Sequence, residues 1–284
     1  MKSEKKVGIS LGNLICPVCG SLLEEQEHSY VCPKRHNYDK AKSGYVNLLL
    51  SNGKNSKLPG DNKLMVAARK NFLEKGYYQI LSDALCKEVT ALAPENPVIL
   101  DAGCGEGYYT GNVWEALHEA GKNPCITGID ISKFALNSAA KQKKPVSYAV
   151  ASVFHLPVME NSCHMVLNLF APYCGEEFER VLEPGGFLFL IIPGEDHLWE
   201  LKQAVYDEPY KNQVKDYALE GFRFQKAVKV ANTITLESNE DIKNLFTMTP
   251  YYYKTSAENT ARLDNLEQLT TTIQFEILIY QCEK

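Results

Sequence analysis

Pro97-Val98-Ile99-Leu100-Asp101-Ala102-Gly103-Cys104-Gly105-Glu106-Gly107-Tyr108-Tyr109-Thr110 decides the fold. Its first part is short and uniformly apolar, the pattern of a parallel strand covered on both faces. Glycines at 103, 105 and 107 then let the backbone bend sharply and approach a ligand with no Cβ in the way, just before a helix start. The spacing is G-x-G-x-G, not the G-x-G-x-x-G of dinucleotide binders, and Asp101 stands just ahead of it. A carboxylate there would repel a pyrophosphate; it suits an ammonium group such as that of a methionine moiety.

Downstream, a helix to about Ala120 leads to a second strand, Cys125 to Ile129, ending at Asp130. An acidic residue in that place hydrogen-bonds ribose hydroxyls in doubly wound folds, which points to a nucleoside cofactor. The alternation continues with a helix from Ser132 to about Lys141, a strand from Val146 to Val150 and a strand from His164 to Phe170. A helix from Cys174 to Leu182, a Glu183-Pro184-Gly185-Gly186 turn and a strand from Phe187 to Ile192 follow. This rhythm predicts an α/β fold, a doubly wound, mostly parallel sheet with helices on both faces. Beyond His197 the pattern gives a helix, a mixed segment to about Asn239, a short helix near Asp241 to Phe246, and a strand from Thr271 to Tyr280 suited to an antiparallel edge.

Composition agrees with a folded enzyme-sized chain: 284 residues, 45% of them apolar, formal charge −5. That excludes disorder and collagen-like tracts, and no apolar run reaches the roughly 18 residues of a membrane helix. With no apolar core behind the charged N-terminus, a soluble, cytoplasmic protein is expected. The charge is uneven: residues 1–80 hold 13 Lys/Arg against 7 Asp/Glu, while residues 81–284 hold 17 against 28. A basic head on an acidic body suits a polyanion partner at one end.

That head carries Cys16-Pro17-Val18-Cys19 and, twelve residues on, Cys32-Pro33-Lys34-Arg35-His36. Two tight turns offering two ligands each close a tetrahedron around zinc, and four protein ligands leave no open position, so the site is structural. Gly20 falls where a left-handed turn residue is needed, and Leu22 to Val31 can form a hairpin. His28 is the competing donor, but it lies mid-hairpin, so Cys16, Cys19, Cys32 and His36 are the expected ligands. The remaining six cysteines are isolated and odd in total with the first three, which speaks against a disulfide framework. Between head and body, Gly44 to Leu50 is strand-like, Ser51 to Asp61 is polar and turn-rich, and helical periodicity runs from Asn62 to about Leu92 with a break near Gly76. The expected organisation is a zinc-binding module over residues 1–45, a loop and helical linker over 46–92, and the α/β domain over 93–284.

The run from Leu100 to Gly107, Asp130, and Leu182-Glu183-Pro184-Gly185-Gly186 together resemble the class I S-adenosylmethionine-dependent, Rossmann-like methyltransferases. Cys16-Pro17-Val18-Cys19, Tyr30-Val31-Cys32-Pro33, Arg35-His36, Asp39, Ala41-Lys42, Gly44 to Leu49 and Pro59-Gly60-Asp61 are similar to the bacterial 23S rRNA guanine-N1-methyltransferases, which include macrolide (tylosin) resistance enzymes. The likeness spans roughly residues 15–200; beyond them it is weak except at Met248-Thr249-Pro250. It implies S-adenosylmethionine and one structural zinc as cofactors, a homodimer, no membrane, and a guanine of a 23S rRNA hairpin as target, with antibiotic resistance as a possible outcome. It also implies that Tyr78 and His197 join Asp101, Gly103, Gly105, Glu106, Gly107 and Asp130 in holding the cofactor.

N1 of guanine carries a proton at neutral pH and is hidden by pairing, so the base must be unpaired or flipped and the proton must leave. Asn168-Leu169-Phe170-Ala171-Pro172-Tyr173 ends the fourth strand, where a parallel sheet faces substrate; Phe170 or Tyr173 can stack and Asn168 can bond a base edge. No residue declares itself the general base, Glu106 and His155 being the two candidates. Lys34, Arg35, Lys40, Lys42, Lys54 and Lys57, with Tyr38 and Tyr45, are the expected phosphate-contacting surface. Two other readings fit the same residues: a small-molecule methyltransferase with a structural zinc, and a non-catalytic RNA-binding relative.

Overall fold

The computed structural model describes residues 12–50, 59–213 and 217–284. Most of the polar stretch from Ser51, with Lys54 and Lys57, lies outside the described residues, as does the charged N-terminus. In the head, β1 (Glu24–Glu25), β2 (Ser29–Val31) and β3 (Asn37–Asp39) form a small antiparallel sheet, and β4 (Val46–Asn47) follows. Then come α1 (Lys63–Glu74), α2 (Gln79–Leu92), β5 (Val98–Ala102), α3 (Tyr108–Glu119), β6 (Cys125–Asp130), α4 (Lys133–Lys141), β7 (Val146–Val150) and β8 (Cys163–Leu169). The chain ends through α5 (Gly175–Val181), β9 (Leu182–Pro193), α6 (Trp199–Val205), β10 (Phe222–Leu236), α7 (Asn239–Thr247), α8 (Ala257–Ala261) and β11 (Leu269–Cys282).

Local chemistry sets the boundaries. Asn62 caps α1 by accepting from the Met65 amide at 3.0 Å, and Gly76 at φ +80° ends it, giving the break that the sequence predicts. Ser132, where the sequence starts the next helix, caps α4 by accepting from the Ala135 amide.

The large sheet runs β10-β11-β9-β8-β5-β6-β7-β4. Its pairs from β4 to β9 are parallel, while β11 runs antiparallel to β9 and β10 antiparallel to β11. The chain winds outward from β5 through β6 to β7 and then returns to β8 on the other side of β5, so the topological switch point, where such sheets bind ligands, lies at the C-terminal ends of β5 and β8.

Alternation along the strands builds two cores. Ile99, Met165, Leu167, Phe189, Ile191 and Ile277 face one layer with Phe72, Leu81, Leu85, Val113 and Leu117 of α1, α2 and α3. Leu100, Val166, Leu188 and Leu278 face the other, with Phe178 and Val181 of α5. Burying each such side chain contributes about 1.5–3 kcal/mol. Leu14, Leu23 and Tyr30 of the head, with Leu48 just beyond it, join this second layer. The join is also polar: Asn13 donates to Ser162 and accepts from Thr127 Oγ1, each at 3.3 Å, and the Ile15 amide donates to the Pro157 carbonyl at 2.9 Å. Through β4 on β7, the segment that leaves the head extends the sheet itself.

Three expectations need correction. β11 is not the sheet's edge: residues 222–236, which read as mixed because Lys, Gln and Asn interrupt their apolar positions, form β10 outside it, and those polar residues suit an exposed edge. Glu183 to Gly186 do not leave the sheet as a free turn; they are an irregularity within β9, whose pairing jumps from Cys163 with Leu182 to Met165 with Phe187. The fourth core strand stops at Leu169, because Phe170 adopts φ +53°.

Candidate functional site

In the head, the two turns bring Cys16, Cys19, Cys32 and His36 together with their ligand atoms within 4.8 Å of one another. His36 Nδ1 lies 3.3 Å from Cys16 Sγ and 3.4 Å from Cys32 Sγ, and Cys19 Sγ lies 3.6 Å from Cys32 Sγ. A zinc tetrahedron with bonds of about 2.3 Å to sulfur and 2.0–2.1 Å to nitrogen has edges of about 3.5–3.8 Å, so this donor set is of the right chemistry and close to the right spacing for the ion. The first turn closes with the Gly20 amide on the Cys16 carbonyl at 2.8 Å and Gly20 at φ +69°. The second closes with the Arg35 amide on the Cys32 carbonyl at 2.8 Å, and Arg35 itself takes φ +65°, a strained value for a non-glycine residue that sits beside a ligand. Bonding to Ser21 pulls the Cys19 thiol down to about 6, toward the thiolate that binds zinc. His28 is turned away, 87% exposed and paired with Glu27, which leaves His36 as the fourth donor.

At the switch point, each glycine of the loop has a left-handed φ, and each answers to a different neighbour. A Cβ on Gly103 would fall 2.3 Å from Ala171 Cβ, and one on Gly107 would fall 2.8 Å from the Tyr148 hydroxyl. Gly105 instead has open space, its nearest neighbour being Arg69 Nη1 at 3.8 Å. The first and third glycines therefore pack the loop against protein, and the second leaves a cradle.

Polar atoms without partners line this region. Asp101 takes a hydrogen bond from Thr110 at 2.5 Å on one oxygen, while its Oδ1 is buried and unpartnered; Asn168 Oδ1 is likewise orphaned, and Glu106 Oε2 accepts no hydrogen bond though it lies 3.7 Å from Arg69 Nη1. Leaving such an acceptor unsatisfied costs about 1–3 kcal/mol, so the region suits a ligand rich in donors and positive charge. Burial, above all, pushes both Asp101 and Glu106 up to about 7, with neighbouring carboxylates adding to it. Asp130 Oδ2 accepts from the Gly105 amide at 3.0 Å and Oδ1 from the Ser132 amide at 2.7 Å. An ammonium, a sulfonium and ribose hydroxyls match this set of groups.

Tyr78 and His197, far apart in sequence, meet: Tyr78 Oη lies 3.5 Å from His197 Nε2. The Gln274 amide donates to His197 Nδ1 at 3.2 Å, so Nδ1 is the unprotonated nitrogen and Nε2 carries the hydrogen toward Tyr78. Burial pushes this imidazole down to about 3, keeping it neutral. The tyrosine hydroxyl then has its own proton to offer. The buried Tyr109 hydroxyl feels both Tyr78 and Glu106.

Asn168 donates to the Ala102 carbonyl at 2.8 Å and to the Pro172 carbonyl at 3.3 Å, which ties β8 to β5 and aims its oxygen away from both. Phe170 and Tyr173 are 47% and 37% exposed beside it. His155 is exposed on the loop after β7, and Glu106 is taken up by the loop and Arg69, so neither is brought into a general-base arrangement. Lys34, Arg35 and Lys42 are exposed, whereas Lys40 is engaged with Glu25 at 2.7 Å and lies over the Tyr30 ring. Two residues that no motif marks are Phe275, which touches the rings of Tyr78, His197 and Phe170, and Arg69, which is the charged residue on an otherwise apolar face with Val66, Phe72 and Leu73. Alternation along β11 marks Phe275 only as core.

A sheet of this order, with a glycine loop and acidic residues at the ends of adjacent strands, defines a class I S-adenosylmethionine-dependent methyltransferase. A methyltransferase-domain family matches residues 99–186, and the RlmA N-terminal zinc-ribbon family matches residues 14–57. YxjB of Bacillus subtilis (strain 168), named "Putative 23S rRNA (guanine-N(1)-)-methyltransferase", is 32% identical over 273 residues, 93% of this chain and 95% of its own. The 23S rRNA (guanine(748)-N(1))-methyltransferase of Streptomyces fradiae is 36% identical over 199 residues, 68% of this chain and 67% of its own. The chain belongs to the family of 23S rRNA (guanine-N1)-methyltransferases. No helix among the described residues is long and apolar enough to cross a membrane.

Proposed function

We propose that this chain transfers a methyl group from S-adenosylmethionine to N1 of a guanine in a 23S rRNA hairpin. The observation that carries the reading is kinship, over 68% of this chain, with a protein named for that reaction, joined by kinship over 93% of it, zinc head included, with YxjB. The cofactor would supply an electrophilic methyl whose bond to sulfur breaks as the bond to N1 forms, with the N1 proton passing to solvent, and such an in-line displacement depends mainly on position. Asp101 and Glu106 face the positive groups of its methionine part, Asp130 and the Gly105 cradle hold the ribose side, and Tyr78 donates its hydroxyl proton to an acceptor of the cofactor. Asn168 Oδ1 accepts from an N–H on the edge of the guanine, and Phe170 and Tyr173 stack on the flipped base, a contact worth about 1–3 kcal/mol per base. Lys34, Arg35 and Lys42 of the head meet phosphates. The working form is a cytoplasmic homodimer. The test is primer extension on unmodified 23S rRNA treated with protein and cofactor: methylation at N1 destroys the pairing edge and stops reverse transcriptase beside one guanine, whereas uninterrupted extension contradicts the reading.

A further inference from the structure

α1 carries Arg69 to the open side of the glycine loop. Its Nη1 pairs with Asp61 and lies 3.7 Å from Glu106 Oε2, and its Nη2 donates to the Met248 carbonyl at 3.2 Å. The side chain is 24% exposed, so it borders the cleft and is not sealed in the core. Asp61 is fixed in turn, because Ser132 Oγ donates to its carbonyl at 2.6 Å and Gly60 packs onto Ile131 and Ser132. Arg69 is thus held from three sides by segments that surround the cradle.

The charges around it are lopsided. Asp61, Glu106 and Asp130 all act on Arg69, with Asp101 near the last two. Four carboxylates suit the ammonium and sulfonium of S-adenosylmethionine, yet they repel the carboxylate that the same molecule carries. Among the described residues, Arg69 is the cation paired to the loop. A guanidinium has five N–H donors in a rigid fork, and Asp61 and Met248 use only some of them.

We propose that Arg69 holds the carboxylate of the cofactor's methionine moiety, with Asp61 and the Met248 carbonyl presetting its guanidinium. The inference rests on the cofactor reading above. It makes the site selective for an intact amino-acid tail over nucleosides that lack the carboxylate. It also links the loaded cofactor to the Pro59-Gly60-Asp61 segment and to Met248-Thr249-Pro250, because one side chain touches both.

Calorimetric titration with S-adenosylhomocysteine and its decarboxylated analogue tests this without turnover. The wild type is expected to prefer the intact ligand by about 30-fold, the effect of losing one partner of a well-formed charged pair. Arg69→Met is expected to lose that preference by weakening the intact ligand alone, leaving the decarboxylated one within about 3-fold of wild type. Equal weakening of both ligands would make Arg69 only a structural staple and overturn the proposal, as would no change in either. Should Arg69→Met fail to fold, Arg69→Lys decides: it keeps the charge but not the fork, so the preference must fall by at least about 3-fold, and an undiminished preference overturns the proposal. Wild-type protein that binds neither ligand would sink the cofactor reading itself; wild type that binds both equally sinks only the role of Arg69.

Discussion

The backbone N–H of Gly105 donates to Asp130 Oδ2 at 3.0 Å, so the residue that ends β6 holds in place the loop that follows β5. Its other oxygen takes the Ser132 amide at 2.7 Å and starts α4. Asp130 therefore shapes the cradle as well as lining it. Asp130→Asn would turn one acceptor into a donor facing a backbone N–H. Urea unfolding is expected to show a loss of about 1–3 kcal/mol, together with weaker cofactor binding. Unchanged stability with weakened binding would mean that the residue only contacts ligand.

Gly103 and Gly121 share a left-handed backbone, φ +98° and +77°, but only Gly103 has a neighbour in the way of a Cβ, Ala171 at 2.3 Å. Gly121→Ala pays the backbone term of about 1–2 kcal/mol. Gly103→Ala adds the cost of pushing Ala171 and the strand end apart, for a total of about 3–4 kcal/mol, and displaces Phe170 from the mouth of the cleft. Thermal melts of the two variants, side by side, separate conformation from close approach; equal losses would remove the packing argument.

Asp101 and Glu106 both sit at about 7 in the unliganded protein, well above their ordinary values of 3.8 and 4.5. The folded state thus keeps protons that the unfolded chain has released. Their contribution to stability is fully present below about pH 4 and is lost as pH rises through 7. Binding of a cationic ligand runs the other way, because it favours the ionised carboxylates. Cofactor affinity is expected to rise between pH 6 and pH 8, with protons released on binding, which calorimetry in buffers of different ionisation enthalpy would register. An affinity that is flat over this range would show that the two carboxylates are already ionised.

Removing the zinc should be felt in the body. The head shares a core with β5, β8 and β9 and extends the sheet through β4. Cys32→Ser or His36→Ala is expected to abolish one bound zinc per chain and lower the melting temperature by about 10 °C, whereas His28→Ala, at an exposed residue, should change neither. Metal analysis and a melt on each variant check this. A body that melts as before would make the head an independent appendage.

The motifs of this chain were legible because each is local. A glycine loop, a strand-end aspartate and two cysteine turns leave their mark within a few residues, and the cap at Ser132 and the break at Gly76 follow from single side chains. What depends on distant partners was not legible in this way. β10 reads as a mixed segment since its polar residues make sense only at an edge, and an edge is defined by the absence of a neighbour. Arg69 reads as one more helix charge until Asp61, Glu106 and Met248 converge on it from three segments. Tyr78 and His197 are singled out by family likeness alone; the hydrogen-bond path from the Gln274 amide through the imidazole to the phenol is visible only in three dimensions.

The most direct test is nucleoside mass spectrometry of unmodified 23S rRNA after incubation with the protein and isotope-labelled S-adenosylmethionine. Label is expected in 1-methylguanosine and in no other methylated nucleoside. Label in a different nucleoside, or none in RNA from protein shown to hold its zinc, would contradict it.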